Sequence, residues 1–119
     1  MTSLATLMQV AMAFWAGAAP GAVQQSCPDG VRVAVAPSVK MINQAQGVQA
    51  EAVLGSCVIT IRAGWRRDVT DRQACGVVIH EMGHAALSLR HTSTGIMSAV
   101  LPEKLPGVCS RFTNHNRDE

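Results

Sequence analysis

The run His80-Glu81-Met82-Gly83-His84 carries the residue types and spacing that chemistry needs. On an α-helix, four residues advance by about 400° and 6 Å. Both imidazoles then leave the same face one turn apart, which suits adjacent positions around a tetrahedral zinc ion. Glu81 stands about 100° round from His80, beside the ligands rather than among them. From there a carboxylate can accept a proton from a water whose pKa the zinc lowers towards neutrality. The implied chemistry is metal-assisted hydrolysis of peptide bonds, with a peptide or protein as substrate and Glu81 as general base.

The flanking residues oppose a chance polar patch. Val77, Val78 and Ile79 lead into the motif and Ala85, Ala86 and Leu87 lead out of it. A helix apolar on most sides rarely carries two His and a Glu without partners. Two alternatives stay open. One is a satisfied polar cluster without metal. The other is a non-catalytic secreted binding or structural module that keeps a zinc site or its remnant. A purely structural zinc would have four protein ligands and no open position.

Catalytic zinc takes three protein ligands plus water, and His91 is the best-placed third. It lies about 10.5 Å further along a continued helix, so the chain must turn back before it. His80-Glu81-Met82-Gly83-His84-Ala85-Ala86-Leu87-Ser88-Leu89-Arg90-His91 resembles the metzincin signature His-Glu-x-x-His-x-x-Gly-x-x-His, in its matrixin form. Downstream, Thr94-Gly95-Ile96-Met97-Ser98 resembles the Met-turn of that family, with Met97 at its base. The resemblance spans Val77 to Ser98 and departs from the pattern in two places. The third His falls one residue late, and Ser88 stands where the reversal needs a Gly, a residue far more tolerant of φ > 0. Either the helix ends differently here or His91 is not a ligand. Glu103 and His115 are the other candidates for the third position.

The resemblance implies a minimal zincin fold. A small mixed sheet would pack on a long active-site helix, and substrate would lie extended along a sheet edge. It implies that His80, His84 and His91 hold zinc, and that residues 99–101 line the pocket beyond the cut bond. The chain contains no Tyr, so zinc and backbone amides would have to stabilise the oxyanion.

The elements that position these residues also have sequence signals. Thr70 followed by Gln73 forms a capping-box pattern, so the helix starts at Asp71 and runs to at least Leu87. Val78, Met82, Ala85 and Leu89 mark its buried stripe. Val31 to Ala36 alternates and is β-branched, and Cys57 to Arg62 is the clearest strand. A short helix is expected from Val39 to Gln46, and Gln49 to Leu54 is ambiguous between helix and strand. Beyond the long helix, Gly95, Pro102, Pro106 and Gly107 indicate turns with room for one short helix. The order is that of an α+β layer architecture.

Composition limits the partners. The 119 residues carry a formal net charge of +2 without a clustered basic face, which argues against nucleic acid. Residues 1–26 hold no charged side chain, and the apolar run from Leu4 to Ala19 is followed by small residues. Residues 1–23 therefore suit a secretory signal peptide and 24–119 the metallopeptidase domain, although no Lys or Arg precedes the apolar run. The alternative for the same run is a buried N-terminal helix. No stable membrane association is expected, and the exported protein is expected to be a monomer. Cys27, Cys57, Cys75 and Cys109 all follow the proposed signal, so two disulfides are expected. The preferred pairing, Cys27–Cys57 and Cys75–Cys109, ties each terminus to the core.

Overall fold

The computed structural model describes residues 2–36, 50–67 and 69–112. The expected helix from Val39 to Gln46 and the candidate ligand His115 lie outside the described residues. The elements run α1 (Leu4–Ala18), α2 (Ala22–Ser26), β1 (Arg32–Ala36), β2 (Ala50–Glu51), β3 (Val58–Arg62), a 3-10 turn (Trp65–Arg67), α3 (Asp71–Leu87) and a second 3-10 turn (Gly107–Arg111). The architecture is α+β.

The sheet is mixed, in the order β1-β3-β2. β1 pairs parallel with β3, Arg32 opposite Val58 through Ala36 opposite Arg62, whereas β2 pairs antiparallel, Ala50 opposite Ile61 and Glu51 opposite Thr60. The ambiguous stretch before Gly55 thus resolves into a short edge strand. β3 is central and alternates as a half-buried strand must, with Ile59 and Ile61 buried and Thr60 and Arg62 on the other face.

α3 is the hub of the fold and packs against α1, α2, β2, β3 and the C-terminal 3-10 turn. Its buried residues surround most of its circumference, from Ala74 and Cys75 to Ala85 and Ala86. Of the expected stripe, Val78, Met82 and Ala85 are in the core. Leu89 is not: the helix stops two residues earlier, and Leu89 lies on the chain leaving it, 37% exposed.

The apolar N-terminal run forms α1, capped by the Ser3 hydroxyl, which accepts from the Thr6 N–H. Its buried residues, Leu7, Val10, Ala11 and Trp15, follow helical spacing and present one stripe. That stripe lies on α3. Among the described residues no helix is long and apolar enough to cross a membrane.

Two disulfides tie the layers together. Cys27–Cys57 joins the end of α2 to the start of β3, and Cys75–Cys109 joins α3 to the C-terminal 3-10 turn. These are the pairings preferred from the sequence. Such a pair of bridges fits an extracellular protein.

Candidate metal centre

His80 and His84 project from the C-terminal half of α3, and their Nε2 atoms approach to 3.0 Å. One nitrogen from each of His80, His84 and His91 lies within 4.8 Å of the others. Three imidazoles so placed can hold a metal ion.

The hydrogen bonds of the rings sharpen that statement. His80 Nδ1 faces the Ile96 carbonyl at 2.7 Å, and His84 Nδ1 faces the Leu89 carbonyl at 2.5 Å. A carbonyl oxygen only accepts, so each Nδ1 must carry the hydrogen. In a neutral ring that leaves Nε2 as a bare lone pair. Two lone pairs then confront each other across 3.0 Å, an arrangement that calls for a cation between them. A proton is a poor candidate, because burial drives the His80 pKa down to about 4, helped by the neighbouring His84 and His91 and opposed by the Ile96 bond. His84 is lowered as well, by burial first and then His91. In a tetrahedral site with nitrogens 2.0–2.1 Å from the ion, ligand nitrogens lie about 3.3 Å apart, close to what the pair presents. The donor set therefore fits a divalent cation, and the carbonyls behind the His80 and His84 rings are the support that metal-bound His commonly has.

His91 reaches the other two because α3 ends in a left-handed residue. Ser88 adopts φ 56°, ψ 27°, and Leu89 N–H returns to the Gly83 carbonyl at 3.1 Å. The reversal turns the Leu89 carbonyl onto His84 and carries His91 back beside the two helical rings, 5.3 and 4.9 Å from them between ring centroids. α3 runs to Leu87, Ser88 makes the reversal, and His91 follows it by three residues. The left-handed φ that Gly would adopt freely is imposed here on Ser.

What holds Ser88 there comes from elsewhere in the chain. Gly55 N–H bonds the His84 carbonyl and Cys57 N–H bonds the Ala85 carbonyl, each at 2.9 Å. These satisfy carbonyls that the helix end leaves open. Gly55 has φ 70°, and a Cβ added to it would stand 2.9 Å from the Ser88 hydroxyl oxygen. Only a glycine admits that approach. The loop is fastened in turn by Cys57 to Cys27.

Below the rings, the segment after His91 makes a tight turn. Gly95 has φ 82°, Ser98 N–H bonds the Gly95 carbonyl at 3.0 Å, and Thr92 N–H bonds the Met97 carbonyl at 3.0 Å. The turn delivers the Ile96 carbonyl to His80 and buries Met97, which is 5% exposed. A Cβ on Gly83 would lie 2.6 Å from Met97 Sδ and 2.9 Å from Trp15 Cζ2. The Gly of the motif is thus a contact point for two large side chains.

Glu81 is buried at 7% exposure. Burial pushes its carboxyl up to about 8, with the Glu51 charge on β2 adding to the effect. Glu103 is exposed and is not one of the three clustered groups. Leu101 is half-buried and packs on Gly76, where a Cβ would meet its Cδ1 at 3.1 Å.

The sequence motif located the rings but not their supports: the carbonyls of Leu89 and Ile96, Gly55 and Trp15. Backbone carbonyls have no residue signature, and Gly55 lies far upstream of the motif; only Gly83, inside the motif, could be flagged from the sequence. Comparison of the chain with protein-family descriptions, with curated proteins and with solved structures returns no match.

Proposed function

We propose that the chain is a secreted zinc-dependent endopeptidase of metzincin type, built as a minimal zincin. The observation that carries this is the three-histidine cluster, in which two lone pairs meet across 3.0 Å while both Nδ1 atoms are committed to carbonyls. His80, His84 and His91 would hold the ion. Zinc bound there supplies Lewis acidity and lowers the pKa of a water it binds.

The remaining work falls to the chain itself. Glu81, one residue after His80, takes a proton from the attacking water on its carboxylate and returns it to the amide nitrogen of the leaving group. Its low exposure keeps bulk water from competing. Burial pushes the Glu81 carboxyl up to about 8, and a cation bound at the neighbouring His80 would favour its ionised form. β2 is an edge of the sheet and contacts α3, so an extended peptide can add along it. Two disulfides favour an oxidising compartment.

A second reading has its own support. At neutral pH the metal-free Glu81 is largely protonated, a form that suits a metal-binding module without catalysis. Zinc content and cleavage of casein or a peptide library, for the wild type and Glu81→Ala, separate the two. The account expects near-stoichiometric zinc in both proteins and hydrolysis in the wild type alone. Hydrolysis that survives in Glu81→Ala removes the general base; zinc binding without hydrolysis in either protein favours the module.

A further inference from the structure

α1 sends one side chain to the back of the helix that carries the rings. Trp15 is 6% exposed, and its indole Nε1–H donates to the Ile79 carbonyl at 2.9 Å. Ile79 immediately precedes His80. The same ring lies against Gly83, with Cζ2 at 2.9 Å from where a Cβ would stand, and Gly83 immediately precedes His84. One indole therefore touches the backbone just ahead of both helical ligands. In an α-helix the Ile79 carbonyl already accepts from the Gly83 N–H. The indole takes the second lone pair of that carbonyl, so its bond is made to the very turn that spaces the imidazoles. Met97 presses on Gly83 beside it, 2.6 Å from the same Cβ position. Phe14 holds the indole edge-on, with ring centroids 4.9 Å apart.

We propose that Trp15 is a positioning residue for the metal centre. It fixes the turn from Ile79 to Gly83 and through it the separation of the His80 and His84 nitrogens, so α1 belongs to the metal-binding unit. The proposal rests on the three histidines holding a metal. It also couples the N-terminal segment to the site: a chain relieved of residues 1–23 would have to build the centre without this support.

Cobalt(II) serves as the probe, because its visible absorption reports ligand number and geometry in a zinc-type site. The full chain is titrated as wild type, Trp15→Phe, which keeps a ring and removes the N–H, and Leu7→Ala. Leu7 is fully buried on α1 and lies about two helical turns before Trp15, so it controls for simple loss of stability. Trp15→Phe should bind cobalt about tenfold more weakly, the scale of a lost outer support, with a shifted absorption band. Leu7→Ala should lower Tm yet keep the wild-type affinity and band. Equal affinity and an unchanged band in Trp15→Phe, or equal shifts in both variants, would overturn the proposal. If Trp15→Phe does not fold, the wild type suffices: the indole N–H resonance of Trp15 should move in step with one equivalent of zinc, and a resonance indifferent to bound zinc would overturn the proposal. A wild type that binds neither metal overturns the metal reading itself, which distinguishes that failure from this one.

Discussion

The two ends of α3 are closed in different ways. The N-terminal end is settled within four residues: the Thr70 hydroxyl accepts from the Gln73 N–H while the Gln73 side chain accepts from the Thr70 N–H. Asp71 adds a favourable charge in the first turn and is clasped by Arg66 and by Thr2. Burial alone would raise the Asp71 pKa, but the Thr2 bonds and the Arg66 charge outweigh it and lower it. The C-terminal end closes only partly on itself: Ser88 and Leu89 both return their N–H groups to the Gly83 carbonyl, and the carbonyls of His84 and Ala85 need partners from elsewhere. It is closed by Gly55 and Cys57, some thirty residues upstream, and by a left-handed Ser88. The metal ligands sit at this second end. A local cap makes a helix start; a long-range cap lets its end be shaped, and His91 depends on that shape.

The largest test of this difference uses the two disulfides. Each closes a loop of similar length, with sequence separations of 30 and 34, so replacing either pair by Ser should cost roughly 3–4 kcal/mol. Their effects on metal should differ. Cys27→Ser with Cys57→Ser frees the loop that holds the C-terminal end, so cobalt affinity should fall in protein that is still folded. Cys75→Ser with Cys109→Ser should reduce Tm and leave affinity unchanged in the folded fraction. Equal losses of affinity would erase the distinction.

A smaller effect concerns Glu81 in the metal-free protein. Its folded pKa of about 8 lies above the ordinary 4.5, so the folded state keeps a proton that the unfolded chain releases. Stability is full below 4.5 and declines as pH rises towards 8, by up to about 1.4 kcal/mol per pH unit. Glu81→Gln should abolish that decline in urea melts, and added zinc should narrow the gap between the two proteins. Parallel pH profiles without metal would contradict the buried, proton-holding carboxyl.

The smallest effects come from the caps themselves. Thr70→Ala should cost about 1 kcal/mol and spare metal binding. Ser88→Gly relieves the left-handed strain and should gain up to about 1 kcal/mol in chemical denaturation. A destabilised Ser88→Gly would mean that the hydroxyl packed on Gly55 outweighs the strain.

The same contrast explains what the sequence disclosed. The start of α3, the spacing of His80, Glu81 and His84, and the alternation of β3 are local patterns, and each was legible. The disulfide pairing followed from the need to tie both termini to the core. The end of the stripe was misplaced at Leu89 because the residue that stops the helix, Ser88, takes its left-handed φ without being a Gly, and the groups that bond the freed carbonyls, on Gly55 and Cys57, lie far upstream. β2 is two residues long and defined by backbone pairing with β3, so no periodicity could show it. For residues 1–23, an uncharged apolar helix suits both a leader and a packed element. Only the α3 face beneath Leu7, Val10 and Trp15 shows what such a helix buries.

Zinc K-edge X-ray absorption on the full chain loaded with one equivalent of zinc, beside His91→Ala, tests the central claim most directly. The account predicts three imidazole nitrogens at about 2.0–2.1 Å plus one oxygen in the wild type, and two imidazoles in His91→Ala. A wild-type spectrum with fewer than three imidazoles, or one unchanged by His91→Ala, would contradict it.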